Sequence, residues 1–507
     1  MSNLPKNKLV RVLNSTTTFW LVVFALALAG LAIRLYDLTD LPLDFAPTRQ
    51  LFSAIKARGM YAAMLPLEYQ NAYTDLAITQ WKGTQAIEPT IIEGLIALTY
   101  FFTGEILWVG RLYSAIFWVL GGIPIVLLSK KISNKAGSLL SLGIYLFLPY
   151  GIIASRAIQP DPLLVSLISF AVWANYEWLT TKGWKWAILA GLFNGAAMLV
   201  KNVAVFPLFF CIISLIGVRG LWNSLRQKQT WTVIILSILP VASYTLYGIF
   251  AAGFLGQQFA FRFFPNLWSD PVFYLRWKNQ VDGAIGFALA IVAFVSMLMA
   301  DRRGRPLLAG LWLGYLVYGF TFAYHITSHD YYQLPLILIT ALSLAPLAEF
   351  STKQIGERAT PAFAYSLLSG ALLFAVFVSL WTARVDLART DYRPEIERWQ
   401  AIGRVIGSPS KVLTISEDYG YRLAYWGQQD VEAWLDDADL NLRELDGRNI
   451  NIMEKFAEKV AGKQFIVVTQ MGKLENQPEV KQFIEETYPV YAQGDGFIIY
   501  DVQGQIK

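Results

Sequence analysis

A small set of charged residues lies beside apolar stretches of this sequence, where acid–base or anion-binding chemistry is feasible. Three of them are acidic: Asp44, Glu88 and Asp161. Three are basic: Arg49, Arg156 and Lys201. Inserting one such charge near membrane depth costs on the order of 2.5 to 3.5 kcal/mol, so a set of them predicts a polar, water-filled cavity.

Two of these residues also have plainer explanations. Asp161 precedes Pro162, which suits the first turn of a helix, so the carboxylate could cap that helix and complement its dipole. Lys201 ends the apolar segment GAAMLVK, and its amine could extend to the membrane interface. Both alternatives stay open at the level of the sequence.

The composition indicates that membrane-spanning helices position these residues. Hydrophobic residues make up 55% of the chain, charged residues only 16%, and the mean hydropathy is +0.42, whereas soluble domains carry about a quarter charged residues. Cys211, the single cysteine, falls inside an apolar run, so no disulfide framework is expected. Apolar runs of about 20 residues predict about eleven spans. They start near Thr17, Leu107, Ala136, Pro162, Trp184, Val203, Trp231, Ala284, Pro306, Tyr331 and Pro361.

The basic residues predict the topology. Lys6, Lys8 and Arg11 precede the first span, which favours a cytoplasmic N-terminus. We predict that segment 88–102 lies in the interface as an amphipathic helix, because the later basic loops then all fall on the cytoplasmic side. The outer face then contains segments 37–106, 155–161, 201–202, 252–280 and 324–335, and everything after Arg384.

The chain after Arg384 has the character of a soluble domain. The spans cease, charge density rises, and KVLTIS, KQFIVVT and GFIIYDV read as short strands with helical stretches between them. We therefore predict a membrane domain over 1–384 and a small extracytoplasmic α/β domain over 385–507. We expect the α/β domain to dock a substrate or to cover the outer face.

Segment 252–280 interleaves aromatic residues with three cations, Arg262, Arg276 and Lys278. This pattern suits a loop that contacts an acyl chain and a charged headgroup together. It is equally typical of an aromatic belt at the membrane interface.

The landmarks of the membrane part resemble those of the GT-C membrane glycosyltransferases, which include the protein O-mannosyltransferases and the lipid A aminoarabinose transferases. The resemblance rests on Asp44 soon after the first span, on RAIQPDP at 156–162 and on GLFNGAAMLVK at 191–201, and it extends over residues 17 to about 350. Many members carry Asp-Glu at the first landmark. Here Phe45 follows Asp44, which argues against a metal site that needs both carboxylates.

The resemblance implies a sugar donor linked to polyprenyl phosphate, a lipid, glycan or protein acceptor, and contact with the lipids of a bacterial plasma membrane. Nucleic acid is not an implied partner, no cofactor is certain, and a divalent metal ion is a candidate. Asp44 is the implied general base, while Asp161 and Glu88 would shape the acceptor site or hold a cation. The cations implied for the donor phosphate are Lys201, Arg156 and Arg49.

Both histidines of the chain lie in YHITSHDYYQLP, residues 324–335. His325 and His329 fit three roles: filling at the interface, sharing a metal ion, or contacting the donor phosphate. Two histidines four apart on a helix could share a metal ion, but the sequence predicts a short turn here, and no third ligand is established in it. The resemblance favours the phosphate contact, with Tyr331 and Tyr332 beside the lipid head, because an imidazole gains charge easily next to a phosphate.

Two other functions compete with a glycosyltransferase. A lipid or glycan transporter would also have many spans, but transporters tend to have repeated halves and ionisable groups near the midplane. This sequence has no evident internal repeat, and its charged candidates gather on one predicted face. A polysaccharide polymerase or ligase would use the same kind of donor and would differ in transferring a chain.

Overall fold

The computed structural model describes residues 15–84, 88–256, 261–448 and 450–504. The N-terminal cations Lys6, Lys8 and Arg11 lie outside the described residues. Contacts divide the chain into two compact units. The first takes its described residues from 1–38, 87–89 and 111–390, and the second from 39–86, 90–110 and 391–507.

The first unit is helical. Short 3-10 turns lie at Asn202–Ala204, Pro265–Ser269, Met297–Met299 and Asp330–Gln333, and a π turn extends over Tyr247–Ala251. The α-helices are Thr16–Arg34, Val109–Ile132, Lys135–Phe147, Pro149–Ala154, Asp161–Thr181, Trp184–Val200, Val205–Arg219, Leu221–Leu225, Lys228–Leu246, Pro271–Ile285, Phe287–Ser296, Gly304–Thr321, Ala323–Ser328, Leu334–Arg358 and Pro361–Leu387.

Seven of the described helices are long and apolar enough to cross a membrane, or eight if the bent pair Pro271–Ile285 and Phe287–Met299 forms one span. That pair bends by 85° at Gly286, whose φ of 82° is costly for other residues. The other three predicted spans correspond to Lys135–Phe147, Trp184–Val200 and Gly304–Thr321. The prediction of a mainly helical, multi-pass membrane protein is confirmed.

Local sequence signals explain where several of these helices begin. The Ser15 side chain accepts a hydrogen bond from the backbone N–H of Thr18, and Asn134 accepts one from Gly137. Thr360 caps the last membrane helix in the same way, with Pro361 in its first turn. Each cap satisfies an amide that the start of a helix leaves without a partner.

Small residues let two membrane helices approach closely. A side chain at Gly310 or Gly314 would meet the carbonyl oxygens of Phe210 and Phe206 at 2.5 and 2.6 Å. Close backbone approach at small residues is a common way for membrane helices to pack, because burial of apolar surface drives their association little in lipid.

The second unit combines helices with a five-stranded sheet. The strands are β1 (Lys411–Ile415), β2 (Asp430–Ala433), β3 (Phe465–Val468), β4 (Val490–Gly494) and β5 (Phe497–Asp501). Their order is β2-β1-β3-β5-β4, with β1 parallel to β2 and β3, and β5 antiparallel to β3 and β4. The helices are Pro47–Met64, Ala72–Gly83, Ile91–Thr103, Glu395–Ile406, Tyr421–Trp426, Asp437–Leu445, Ile452–Val460, Met471–Glu475 and Pro478–Thr487, with 3-10 turns at Leu67–Tyr69 and Glu417–Gly420.

The first loop packs with the C-terminal segment. The sequence predicts a boundary between residues 384 and 385, whereas the contacts join 39–86 and 90–110 to 391–507. Leu51 and Ile55 of the helix Pro47–Met64 share one buried core with Trp399 and Ile402 of the C-terminal segment. The loop helix has an apolar face that needs a partner, and the C-terminal helices cover it.

Segment 88–102 contains the helix Ile91–Thr103, which has 13 residues. It is too short to cross about 30 Å of hydrocarbon. Its buried Glu93 accepts a hydrogen bond from Ser53 at 2.8 Å, and Tyr100 contacts Tyr61 at a centroid distance of 5.9 Å. The helix therefore packs on the loop helix Pro47–Met64 of its own unit.

Candidate active site

A buried ion pair joins Asp161 and Lys201 in the first unit. The Lys201 Nζ atom lies 3.0 Å from Asp161 Oδ1 and 3.2 Å from Oδ2. Both side chains are more than nine-tenths buried. The helix begins at Asp161 with Pro160 in the cap position, so Asp161 is not its capping residue. The amine of Lys201 is paired with a carboxylate in the interior of the unit.

The order of two helices brings this pair together. Asp161 begins Asp161–Thr181, and Lys201 follows the end of the next helix, Trp184–Val200. The intervening turn is short, with Lys182 in the left-handed region at φ 57°. Two neighbouring helices joined by a short turn lie antiparallel, so the start of one lies beside the end of the other.

Aromatic residues of the segment 324–335 surround the amine. The rings of Tyr331 and Tyr332 lie 5.0 and 5.5 Å from Lys201 Nζ, within the range of cation–π attraction. Tyr332 stacks on Tyr318 at a centroid distance of 5.6 Å. The segment is not a simple turn, because it contains the short helix Ala323–Ser328 and the 3-10 turn Asp330–Gln333.

The two histidines lie in this cluster. His325 is buried and stacks on His329 and Tyr332 at 5.6 and 5.7 Å, and its Nδ1 atom makes no hydrogen bond with any described residue. Burial, together with the positive charges of Arg262, His329 and Lys201, lowers the pKa of His325 to about 3. His325 is therefore neutral near pH 7, in contrast to the expectation that a histidine here gains charge easily. His329 is half-buried, and its Nδ1 lies 2.8 Å from Ser328 Oγ.

Tyr150 and Asp330 also belong to this cluster, although the sequence did not single them out. The Tyr150 hydroxyl is buried, and burial together with Asp330 and Asp161 raises its pKa. The signal for Tyr150 was faint, since it is one of 25 tyrosines in the chain. Asp330 directly follows His329, and this adjacency is the sequence signal that points to it.

A chain of buried hydrogen bonds holds the histidine segment in place. The Trp277 Nε1–H donates to the Tyr315 hydroxyl at 2.9 Å, and this hydroxyl donates to Gln333 Oε1 at 2.5 Å. Gln333 Nε2 in turn donates to the Ile326 carbonyl at 3.0 Å. These side chains are at most 7% exposed. Their polar groups therefore have little access to water and form hydrogen bonds mainly with one another.

The three cations predicted for a lipid-carrier loop lie in different environments. Arg262 is half-buried and close enough to His325 to lower its pKa. Arg276 and Lys278 lie on the helix Pro271–Ile285 and not in a loop, because Pro271 starts a helix there. Arg276 is exposed, and Lys278 pairs with Asp282 at 3.2 Å.

Arg156 and Glu88 are the other predicted site residues of the first unit. Arg156 is 1% exposed, and its guanidinium donates to the carbonyls of Tyr36 and Asp37 at 2.6 and 2.9 Å. It thereby anchors the chain that follows the first membrane helix. Glu88 is half-buried.

Asp44 and Arg49 belong to the second unit. Asp44 is half-buried, and its Oδ1 atom lies 3.4 Å from Gln50 Nε2. Gln50 Nε2 also donates to the Phe45 carbonyl at 2.6 Å, which fixes the turn before the helix Pro47–Met64. The Arg49 guanidinium lies 5.9 Å from the ring of Phe52.

Among the residues that the structure describes, no three His, Cys, Asp or Glu side chains converge in a way that could hold a metal ion. The Asp161 carboxylate is already paired with the amine of Lys201. A divalent metal ion remains a prediction from the sequence.

Comparisons with known proteins agree with this architecture. Residues 88–247 match the family described as dolichyl-phosphate-mannose-protein mannosyltransferase. No curated protein sequence matches the chain.

Solved structures extend the likeness over nearly the whole chain. The crystal structure of ArnT from Cupriavidus metallidurans bound to undecaprenyl phosphate has a TM-score of 0.62 at 15% identity, and the match covers 96% of this chain and 98% of that one. The Archaeoglobus fulgidus oligosaccharyltransferase tethered to an acceptor peptide has a TM-score of 0.56 at 11% identity. This match covers 96% of this chain and 74% of the oligosaccharyltransferase. The chain therefore has the fold of the GT-C glycosyltransferases and carries a domain similar to the dolichyl-phosphate-mannose-protein mannosyltransferases.

Proposed function

We propose that the chain is a membrane glycosyltransferase that moves a sugar from a polyprenyl-phosphate donor to an acceptor on the extracytoplasmic face. The observation that carries the proposal is the buried Asp161–Lys201 pair inside a cluster of tyrosines and histidines. Burying two charges is expensive and contributes little net stability, which favours a functional reason for the pair. The likeness to ArnT, which was crystallised with undecaprenyl phosphate, supports a lipid phosphate as the ligand.

The transfer needs charge balance and one proton acceptor. The bond from the anomeric carbon to the donor phosphate breaks, and a bond from that carbon to an acceptor hydroxyl oxygen forms. The phosphate leaves with its negative charge and needs a cation, whereas the hydroxyl must give up its proton to a base. Lys201 is the cation that we assign to the phosphate, with Arg262 as a second.

The proposal assigns the base to Asp44. Its carboxylate is half-buried, so it has partial access to solvent, and its hydrogen bond from Gln50 fixes its orientation. Arg156 is a weaker candidate for the phosphate, because two of its donors are engaged with backbone carbonyls. Arg49, Glu88 and His329 remain proposed site residues on the strength of the sequence.

A transfer assay tests the proposal. The purified protein would be placed in vesicles with a panel of labelled polyprenyl-phosphate sugars and with lipid, glycan and peptide acceptors. We expect transfer of a single sugar, and Asp44→Asn should lower kcat by about a hundredfold to ten-thousandfold while donor affinity changes little. Asp75→Asn is the matched control, since Asp75 is an exposed carboxylate in the same unit.

Other results would identify a different function. Translocation of the lipid-linked sugar without any transferred product would indicate a transporter. Products with many added sugars would indicate a polymerase or ligase. Wild-type turnover in Asp44→Asn would remove Asp44 from the mechanism.

A further inference from the structure

A depression in the second unit lies at the carboxyl ends of β1 and β2. It offers about 270 Å³ of empty space, counting its open side, and its closed inner part has room for about one water molecule. Its lining residues are Thr414, Ile415, Ser416, Tyr419, Ala433, Trp434, Leu435, Asp436 and Lys473. In open α/β sheets, ligands bind beyond the carboxyl ends of the parallel strands.

Two hydroxyl groups at the end of β1 have no hydrogen-bond partner among the residues that the structure describes. The Oγ1 atom of Thr414 and the Oγ atom of Ser416 make no hydrogen bond with any described residue, although these side chains are only 1% and 5% exposed. A buried hydroxyl without a partner destabilises a fold, so native proteins rarely keep two side by side. A polar ligand in the depression would supply the missing partners.

The rim of the depression carries charges of both signs. Lys473 Nζ lies 3.4 Å from Asp436 Oδ2, and the Tyr419 hydroxyl donates to Asp439 Oδ1 at 3.3 Å. Burial raises the pKa of Asp439, and the neighbouring Asp436 raises it further. With two carboxylates and one amine in reach, the rim does not attract a phosphate.

The backbone at the rim is strained. Asp418 and Tyr419 have φ values of 50° and 56°, in the left-handed region that side chains rarely adopt. Such strain persists where the surrounding structure imposes it, often beside a ligand. Tyr419 is 38% exposed and presents an aromatic surface at the depression.

We propose that this depression binds a single sugar unit, with one ring hydroxyl reaching Thr414 and Ser416. Hydroxyl, carboxylate and amine groups together match the paired donors and acceptors of a neutral sugar. The closed inner part has room for one water-sized group, so one ring hydroxyl can enter it while the ring stays in the open part of the depression. Sugar binding here does not require the proposed transfer reaction, so this proposal and the proposed function fail separately.

Saturation-transfer NMR on the purified full-length protein tests the proposal. The probes are the methyl glycosides of mannose, glucose, galactose and arabinose, together with N-acetylglucosamine and inorganic phosphate. We expect at least one sugar to bind, and Ser416→Ala and Thr414→Val should each weaken it about two- to tenfold. Ser408→Ala, which changes an exposed hydroxyl in the same unit, should leave binding unchanged.

Melting temperatures distinguish a ligand site from a structural role. Removing hydroxyls that have no partner should leave the melting temperature unchanged or raise it. A clear fall in either variant would mean that the hydroxyls serve the fold, which would contradict the proposal. It would also be overturned if phosphate bound in place of sugar, if no sugar bound to the folded wild type, or if both variants bound sugar normally.

Discussion

Asp161 and Lys201 hold opposite charges almost fully out of water, and each depends on the other. Removing one partner of a buried pair typically costs about 3 to 5 kcal/mol, because the remaining charge is left uncompensated. Replacing both partners with apolar residues often changes the stability little. The stability of the pair and its function can therefore be measured separately.

We predict that Lys201→Met lowers the melting temperature strongly, and that Asp161→Asn combined with Lys201→Met largely restores it. Thermal melting followed by tryptophan fluorescence measures this. Sugar transfer should stay low in both variants, because neither has the cation. If the double variant recovers both its melting temperature and its activity, the pair is structural.

A second prediction concerns His325, whose pKa of about 3 in the folded protein lies below the ordinary histidine pKa of 6.5. Between these values the unfolded state binds a proton that the folded state does not, so stability falls as the pH falls from 6.5 toward 3. The loss at pH 5 is on the order of 2 kcal/mol. Above pH 6.5 the effect vanishes.

Melting temperatures from pH 7.5 to 5 check this prediction. The wild type should lose more stability across this range than His325→Gln, which cannot take up the proton. His329→Gln, at the half-buried neighbour, is the matched control and should retain the wild-type slope. Identical slopes for the wild type and His325→Gln would contradict the prediction.

The sequence identified Asp161, Lys201 and the histidines because charged or titratable groups beside apolar runs are unusual. It could not predict the ion pair between Asp161 and Lys201, because the same sequence is compatible with a helix-capping carboxylate and a lysine at the membrane interface. Pairing depends on how two helix ends meet. Gln333 has no comparable signal in the sequence, since its role depends on hydrogen-bond partners on other helices.

At the scale of elements, the C-terminal segment holds the loop helix Pro47–Met64. The Thr48 hydroxyl donates to Asp418 Oδ1 at 3.1 Å, and Arg422 Nε lies 2.6 Å from Asp418 Oδ2. Further along the helix, Arg58 donates to the Tyr425 carbonyl at 2.5 Å. The sequence predicted three of the five strands from short apolar stretches, but such stretches do not reveal which element packs on which.

We predict that Asp418→Ala lowers turnover more than it changes donor affinity. The substitution removes the contact with Thr48, four residues after Asp44, so the proposed base loses part of its support. Asp418→Asn should rescue most of the turnover, because asparagine can accept the same hydrogen bond and tolerates the left-handed backbone. Steady-state kinetics of both variants test this prediction. Equal turnover in the alanine variant and the wild type would contradict a role of Asp418 in supporting Asp44.

At the scale of the whole molecule, charge bias and hydropathy predicted a multi-pass protein with a small C-terminal α/β region, and the structure agrees. The division into units departed from the predicted boundary, since the first loop joins the C-terminal segment. Hydropathy identifies lipid-facing helices well. It does not predict the packing of a loop helix whose partner helix lies more than 300 residues further along the sequence.

We predict that position 353 is cytoplasmic and position 411 is extracytoplasmic. Lys353→Cys and Lys411→Cys would be made in a Cys211→Ser background and labelled in intact cells with a membrane-impermeant maleimide. Position 411 should react at once, and position 353 only after the membrane is opened. The reverse pattern would move the proposed transfer to the other face.

Binding of the donor's lipid phosphate tests the central claim most directly. Undecaprenyl phosphate would be titrated into the purified wild type, Lys201→Met and Lys185→Met, with native mass spectrometry as the readout. Lys185 is an exposed lysine at the opposite end of the same helix as Lys201. Losing a charge-assisted contact should weaken binding by about tenfold or more in Lys201→Met, whereas Lys185→Met should bind like the wild type. Equal affinity in all three, with Lys201→Met still folded, would contradict the account.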